Sequence, residues 1–201
     1  MHAIASLDEL HALYGTPADP ALKKVTKGLT PSYRKWIERS RFCIVTTIGP
    51  DGTDGSPRGD ETPVVRILDP QTLALPDWRG NQRLDTLRNI VQDGRISLLF
   101  LISGAKIAMR VNGTAIVTDD PDLRQTLARG ETLPATVIVI RIAEVYSQCA
   151  RAILRSELWT SGDQSADLPS VGQMLADATA GEIDGQAYDA GSATRAKASM
   201  W

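Results

Sequence analysis

RFCIVTTIGPDGTDGSPRGD (41–60), TPVVRILD (62–69) and TLALPD (72–77) decide the fold class. The first opens β-branched and apolar, then runs into Gly49-Pro50-Asp51-Gly52, four turn-formers in a row. The other two pieces are short and bounded by turn residues, and Asp69-Pro70-Gln71 joins them as a meander. No helix-length run separates these strands. A parallel doubly wound sheet needs a helix after nearly every strand, so the order predicts an antiparallel sheet.

Outward from this stretch, QRLDTLRNIVQD (82–93) carries Leu84, Leu87, Ile90 and Val91 at helical spacing, and Gly94 ends it. ISLLFLISG (96–104) reads as a buried strand. IAMRVNGTAIVTD (107–119) reads as a long one interrupted at Asn112-Gly113, as a bulge or turn. Asp120-Pro121 starts a short helix to about Ala128. TVIVIRIAEVYSQC (136–149) is the last strong strand, apolar on one face and partly on the other. Upstream, Ser6 caps an amphipathic helix stopped by Gly15, and Thr30-Pro31-Ser32 opens another through about Arg39. Downstream, SVGQMLADATA (170–180) is helical, and the remainder to Trp201 reads as loosely ordered. About seven strands with helices at both ends predict a small closed or partly open barrel. The chain divides into a helical segment (1–40) packing on a barrel (41–160), then a C-terminal helix and tail (161–201), one domain overall.

Composition narrows the function classes. The 201 residues are 42% hydrophobic and 23% charged, with 22 Lys+Arg against 24 Asp+Glu and a net charge of −2. A phosphate-reading nucleic-acid binder shows a basic excess, and this chain has none. No apolar run reaches the roughly 18 residues of a membrane helix, and the acidic N-terminus does not read as a signal peptide. With Cys43 and Cys149 in separate apolar segments, the expectation is a reduced, cytoplasmic protein. The only histidines, His2 and His11, lie in the first dozen residues. Histidine-based triads and zinc sites are therefore not expected, and any catalysis would rest on a cofactor.

Two stretches carry candidate chemistry. In PDWRGNQRLDTL (76–87) a strand gives way to a helix expected to begin near Asn81, its N-cap. Arg79 and Arg83 flank that start, against the helix dipole. An anion between them and the free N–H groups, a phosphate above all, reverses the sign. The alternative is that both arginines are solvated or paired with Asp77 and Asp85. In Gly55-Ser56-Pro57-Arg58-Gly59-Asp60, glycines around a hydroxyl and a guanidinium suit the edge of a polar heterocycle, or else an irregular edge strand.

SPRGD (56–60), VRILD (65–69), LALPDWRGNQRLDTLRNI (73–90), LLFLISG (98–104), MRVNGTA (109–115) and YSQCARAILRSELW (146–159) together resemble the FMN-binding split-barrel proteins of the pyridoxamine 5'-phosphate oxidase-like superfamily. Within it, the match is to a subgroup of FMN-dependent enzymes of unassigned activity. The resemblance implies a mainly β fold, a six-stranded antiparallel split β-barrel with flanking α-helices. It further implies a homodimer with FMN in two equivalent sites at the subunit interface. Arg79, Asn81 and Arg83, with Leu84 beside them, would meet the FMN phosphate, and Asp77 the ribityl chain or ring. Ser56, Pro57, Arg58 and Gly59 would pass the isoalloxazine. Cys149, Arg151 and Arg155 would reach across from the other subunit, or else form a plain amphipathic helix. The implied activity is an oxidoreductase passing a hydride through flavin N5, from a small-molecule substrate or reductant. The alternative is a flavin, deazaflavin or haem carrier or sensor without turnover. The oxidase's C-terminal histidine and second-phosphate clamp have no counterpart here, so pyridoxamine phosphate is not the expected substrate.

Overall fold

The computed structural model describes residues 1–198. Three helices, α1 (Leu7–Leu13), α2 (Asp19–Lys23) and α3 (Pro31–Ile37), precede β1 (Phe42–Gly49), β2 (Gly52–Gly59), β3 (Arg66–Asp69) and β4 (Thr72–Asp77). Then come α4 (Asp85–Gln92), β5 (Arg95–Leu101), β6 (Ala108–Thr118), α5 (Pro121–Thr126) and β7 (Thr136–Gln148). The chain ends in α6 (Arg151–Arg155), α7 (Val171–Ala178), α8 (Gly185–Ala190) and α9 (Ser192–Ala198). Among the described residues no helix is long and apolar enough to cross a membrane.

Among the described residues all strands join one antiparallel sheet in the order β2-β1-β5-β6-β7-β4-β3. The sheet has seven strands and no closing ladder, where the family resemblance implies a six-stranded barrel. Seven agrees with the strand tally read from the sequence, and the chain breaks between β2 and β3. Asp60 accepts hydrogen bonds from the Thr62 backbone N–H (2.7 Å) and hydroxyl (2.9 Å), which turns the chain. Pro63 removes a further ladder donor. The next strand, β3, pairs with β4 at the opposite edge from β2.

That connection dictates the curl of the sheet. Laid flat, seven strands at ~4.8 Å spacing would put the two edges ~29 Å apart. The chain from Gly59 to Arg66 reaches at most ~25 Å when fully extended. The edges must therefore bend toward each other. The ion pair between Arg58 on β2 and Asp77 on β4, at 3.2 Å, spans the seam.

Inside the curl lies an apolar core. Val45, Leu73, Leu98, Phe100, Val111, Ile138, Ile140 and Val145 are fully buried in it, and α3 adds Ile37 with Tyr33 and Trp36 packed alongside. Alternation in β1 and β5 puts Cys43, Val45, Leu98 and Phe100 on this face. By contrast, α1 buries no residue. At Asn112-Gly113 the register of β6 against β7 shifts, so the expected interruption is a bulge within one continuous strand. A Cβ at Gly113 would lie 2.0 Å from the Arg141 carbonyl oxygen, which admits only glycine there.

The C-terminal segment is more ordered than its composition predicts. Ser170 caps α7 by accepting from the Gln173 N–H, and Asp184 caps α8 by accepting from the Ala187 N–H. Asp189 pairs with Ser170 and accepts from the Gly172 N–H at 2.8 Å. Gly172 and Gly185 let α7 and α8 approach backbone to backbone. That contact is built from glycines, so nothing apolar in the sequence after α7 marks it. Residues 199–201, including Trp201 of the expected loose tail, lie outside the described residues.

Candidate functional site

Where β4 ends and α4 begins, the chain is forced off a helical path. Gln82 sits at φ 60°, in the left-handed region that costs a side-chain-bearing residue of order 1 kcal/mol. Asn81 closes a local turn, its Oδ1 accepting from the Arg83 N–H at 3.0 Å. Asn81 is therefore not the N-cap expected from the sequence. The cap is Leu84, whose side chain has no acceptor, and the helix starts at Asp85. Consequently the first-turn N–H groups of α4 have no side-chain cap, and the positive end of the helix dipole is uncovered.

This uncapped end lines a cavity of about 640 Å³ between β2, the β4–α4 segment and the connector from α5 to β7. That volume falls within the range of roughly 300–1,000 Å³ usual for small-molecule sites. Its cationic lining is Arg58, Arg79 and Arg83. Arg83 is bonded to Asp85, which raises its pKa, as the paired alternative anticipates. Among the described residues no carboxylate lies within ion-pair distance of Arg79, and Asp77 pairs with Arg58 instead. Thr86 is buried and donates to Asp54 at 2.5 Å, which ties α4 to β2.

Arg58 and Asp77 are the least exposed charges lining the cavity, with side chains 26% and 14% exposed. Burial pushes the Asp77 carboxyl up, and Arg58 beside it offsets that only in part. The Nε of Arg58 is buried without a hydrogen-bond partner. Pro57 and Gly59 line a smaller recess of about 230 Å³ that shares Arg58, Trp78, Arg79 and Gly80 with the main cavity. Ser56 lines neither. Cys43, on the core side opposite Arg58 in the β1–β2 register, is pushed up to about 12 by burial and is chemically inert.

Cys149, Arg151 and Arg155 do not line this cavity. They come after the far end of β7, 13 residues long, whereas the cavity lies at its start, where Thr136 pairs with Asp77. A 13-residue strand spans ~40 Å, which separates the two groups within one chain.

Sequence reading missed the wall opposite α4. Arg129 is ion-paired with Asp60, whose side chain is 5% exposed, and its guanidinium lies 5.3 Å from the Trp78 ring centre. Gly130, at φ 56°, turns the chain there and brings Thr132 and Leu133 to the cavity. A glycine after a helix end was the one signal for this turn, and it says nothing of which surface the turn would face. Among the described residues no group of three or more His, Cys, Asp or Glu is placed to hold a metal ion.

Comparison with solved structures finds matches of low sequence identity. HupZ of Group A Streptococcus superposes with a TM-score of 0.51 at 20% identity, over 60% of this chain and 94% of that one, which shows a shared fold. A general stress protein 26-related protein of the pyridoxinephosphate oxidase family from Clostridium acetobutylicum matches at 0.47 and 13% identity, over 59% and 86% of the two chains. An FMN-binding protein from Syntrophomonas wolfei matches at 0.42 and 11%, over 57% and 86%. No curated protein matches the chain. The family model for pyridoxamine 5'-phosphate oxidase matches residues 29–149, from the approach to α3 through the end of β7 and so over all seven strands and the cavity they enclose; the chain belongs to that family.

Proposed function

We propose that the chain binds FMN in the cavity between β2 and α4 and acts, as a homodimer, as an FMN-dependent oxidoreductase on a small-molecule substrate or reductant. The observation that carries this reading is the uncapped start of α4. Its free N–H groups and two arginines converge on a cavity large enough for a nucleotide. A phosphate there would satisfy orphan donors, complement the helix dipole and draw Arg83 from Asp85. The buried, unpartnered Nε of Arg58 also fits an acceptor-rich ring beside β2.

FMN would supply a hydride acceptor at N5. The remaining work falls to the chain. Arg79 and Arg83 hold the phosphate, and Leu84 and Leu87 give an apolar flank. Arg58, with Pro57 and Gly59 along the β2 edge, orients the ring. Trp78, backed by Arg129, shields it from water. Cys149, Arg151 and Arg155 would come from the second subunit, since within one chain they lie at the wrong end of β7.

Absorbance of the purified protein and the mass of any released chromophore test the cofactor, and light scattering tests the dimer. Arg83→Ala should weaken FMN binding roughly ten- to hundredfold, as expected for losing a charge-assisted bond of about 1.5–3 kcal/mol. Undiminished affinity, or a protein that ignores added FMN, would overturn the assignment.

A further inference from the structure

We infer that Asp77 is the proton-accepting group of this site, taking up a proton when the flavin bound beside Arg58 receives an electron pair. The inference rests on the proposed FMN site and adds a role for the Arg58–Asp77 pair that binding alone does not require.

The geometry is that of one cation shared between two possible partners. Arg58 Nη1 lies 3.2 Å from Asp77 Oδ1, while its Nε is buried and unbonded on the same side chain. Both residues line the 640 Å³ cavity, and Asp77 is the less exposed of the two. The charged groups around Asp77 are Arg58 from β2 and Arg79 and Arg83 from the β4–α4 segment. Asp54 and Asp85 lie beyond Arg83, and Cys43 lies behind Arg58. The α5–β7 connector presents Thr132, Leu133 and Ala135, and β7 presents Thr136 in register, none of them charged. Arg129, on the connector, is held by Asp60, so among the described residues Arg58 is the one close counter-charge of Asp77.

Reduction changes the charge balance of this pair. With oxidised flavin the ring is neutral, and Arg58 balances the Asp77 carboxylate. Hydride transfer from a reductant such as a reduced nicotinamide breaks its C–H bond and forms the N5–H bond. It delivers two electrons and one proton, oxidises the donor to its cation and leaves one negative charge on the ring. Arg58 carries one positive charge and cannot fully neutralise two anions at this partly buried position. A proton from solvent then binds an Asp77 carboxylate oxygen, and Arg58 faces the ring. Burial already pushes this carboxyl up, so little further bias is needed.

The test uses the FMN-loaded protein reduced by dithionite, so that no physiological donor is required. Difference infrared spectra of protein labelled with ¹³C-aspartate should show a protonated carboxyl band on reduction, absent in Asp77→Asn. The flavin midpoint potential should fall with pH by an additional ~30 mV per unit in wild type relative to Asp77→Asn, the value for one extra proton in a two-electron couple. Asp77→Glu, which keeps the carboxyl, should restore the slope and, in protein labelled with ¹³C-glutamate instead, the protonated carboxyl band, and it controls for a variant that misfolds. FMN bound with no such band and an identical slope in both proteins would refute the proton role while leaving the cofactor assignment standing. A protein that binds no FMN would refute both.

Discussion

Arg129→Met tests whether the wall of the site is a folded anchor or a surface decoration. In the native protein the Asp60 carboxylate is 5% exposed and has three donors: the Thr62 N–H, the Thr62 hydroxyl and Arg129. Arg129 is itself 22% exposed and touches Glu61 only at 3.8 Å. Removing one partner of a buried ion pair costs about 3–5 kcal/mol, because the other charge is stranded. Here two Thr62 bonds remain and water reaches part of Arg129, which places the expected loss near the bottom of that range, at about 3 kcal/mol. For a domain of this size that is a fall in Tm of roughly 6–12 °C. Adding Asp60→Asn should recover at least ~1 kcal/mol, since the amide keeps the Thr62 acceptor role without the stranded charge. Urea unfolding of wild type, both single variants and the double variant gives the coupling directly. A loss below ~1 kcal/mol with no coupling is what exposed pairs show. That result would refute the claim that Asp60 and Arg129 fix the Trp78 wall.

Gly113→Ala should cost about 1–3 kcal/mol or more in thermal denaturation, since its Cβ meets the Arg141 carbonyl at 2.0 Å and both sides of the clash are backbone. Gly55→Ala, with nothing within 4 Å, is the matched control; equal Tm values would mean that the bulge tolerates a side chain. A disulfide thiol reagent should titrate one cysteine rapidly in the folded protein, the exposed Cys149. Cys43, buried and pushed up to about 12, should react only on unfolding. Two fast thiols would contradict the packing of β1.

Strands were legible because their signal is local. RFCIVTTIG is β-branched and apolar, TVIVIRIAEVYSQC alternates with period two, and Gly49-Pro50-Asp51-Gly52 marks the hairpin whether or not the rest folds. The start of α4 was legible in kind but misplaced, because Asn81 is as good a turn former as an N-cap, and only the left-handed Gln82 decides between them. The tally of about seven strands was legible as well, because turn residues bound each piece between 41 and 77; the Asp60–Thr62 turn makes the break after β2. α7 was legible as a helix in SVGQMLADATA, whereas α8 and its contact with α7 rest on glycines and caps, so there composition pointed the wrong way. Arg129 was invisible for a different reason. Its partners, Asp60 and Trp78, are remote in sequence, and nothing local marks a pairing made only by tertiary folding.

The curl of the sheet explains why the site lies at its seam. Every interior strand spends its backbone donors and acceptors on two neighbours, whereas β2 and β3 each have one free edge. The short 60–65 connection pulls those edges together without letting them pair, leaving β2 with backbone polar groups unspent and Pro57 tolerated among them. Such an edge has three ordinary fates: pairing with another chain, cover by a loop, or occupation by a ligand. Cover by the β4–α4 segment and the α5–β7 connector is only partial, and it brings Arg58, Arg79 and Arg83 with it. An edge with free backbone groups, an uncapped helix start and three arginines around one cavity are what the proposed anionic, hydrogen-bonding ligand would meet. The same topology that prevents the sheet from closing therefore creates the chemistry of its opening.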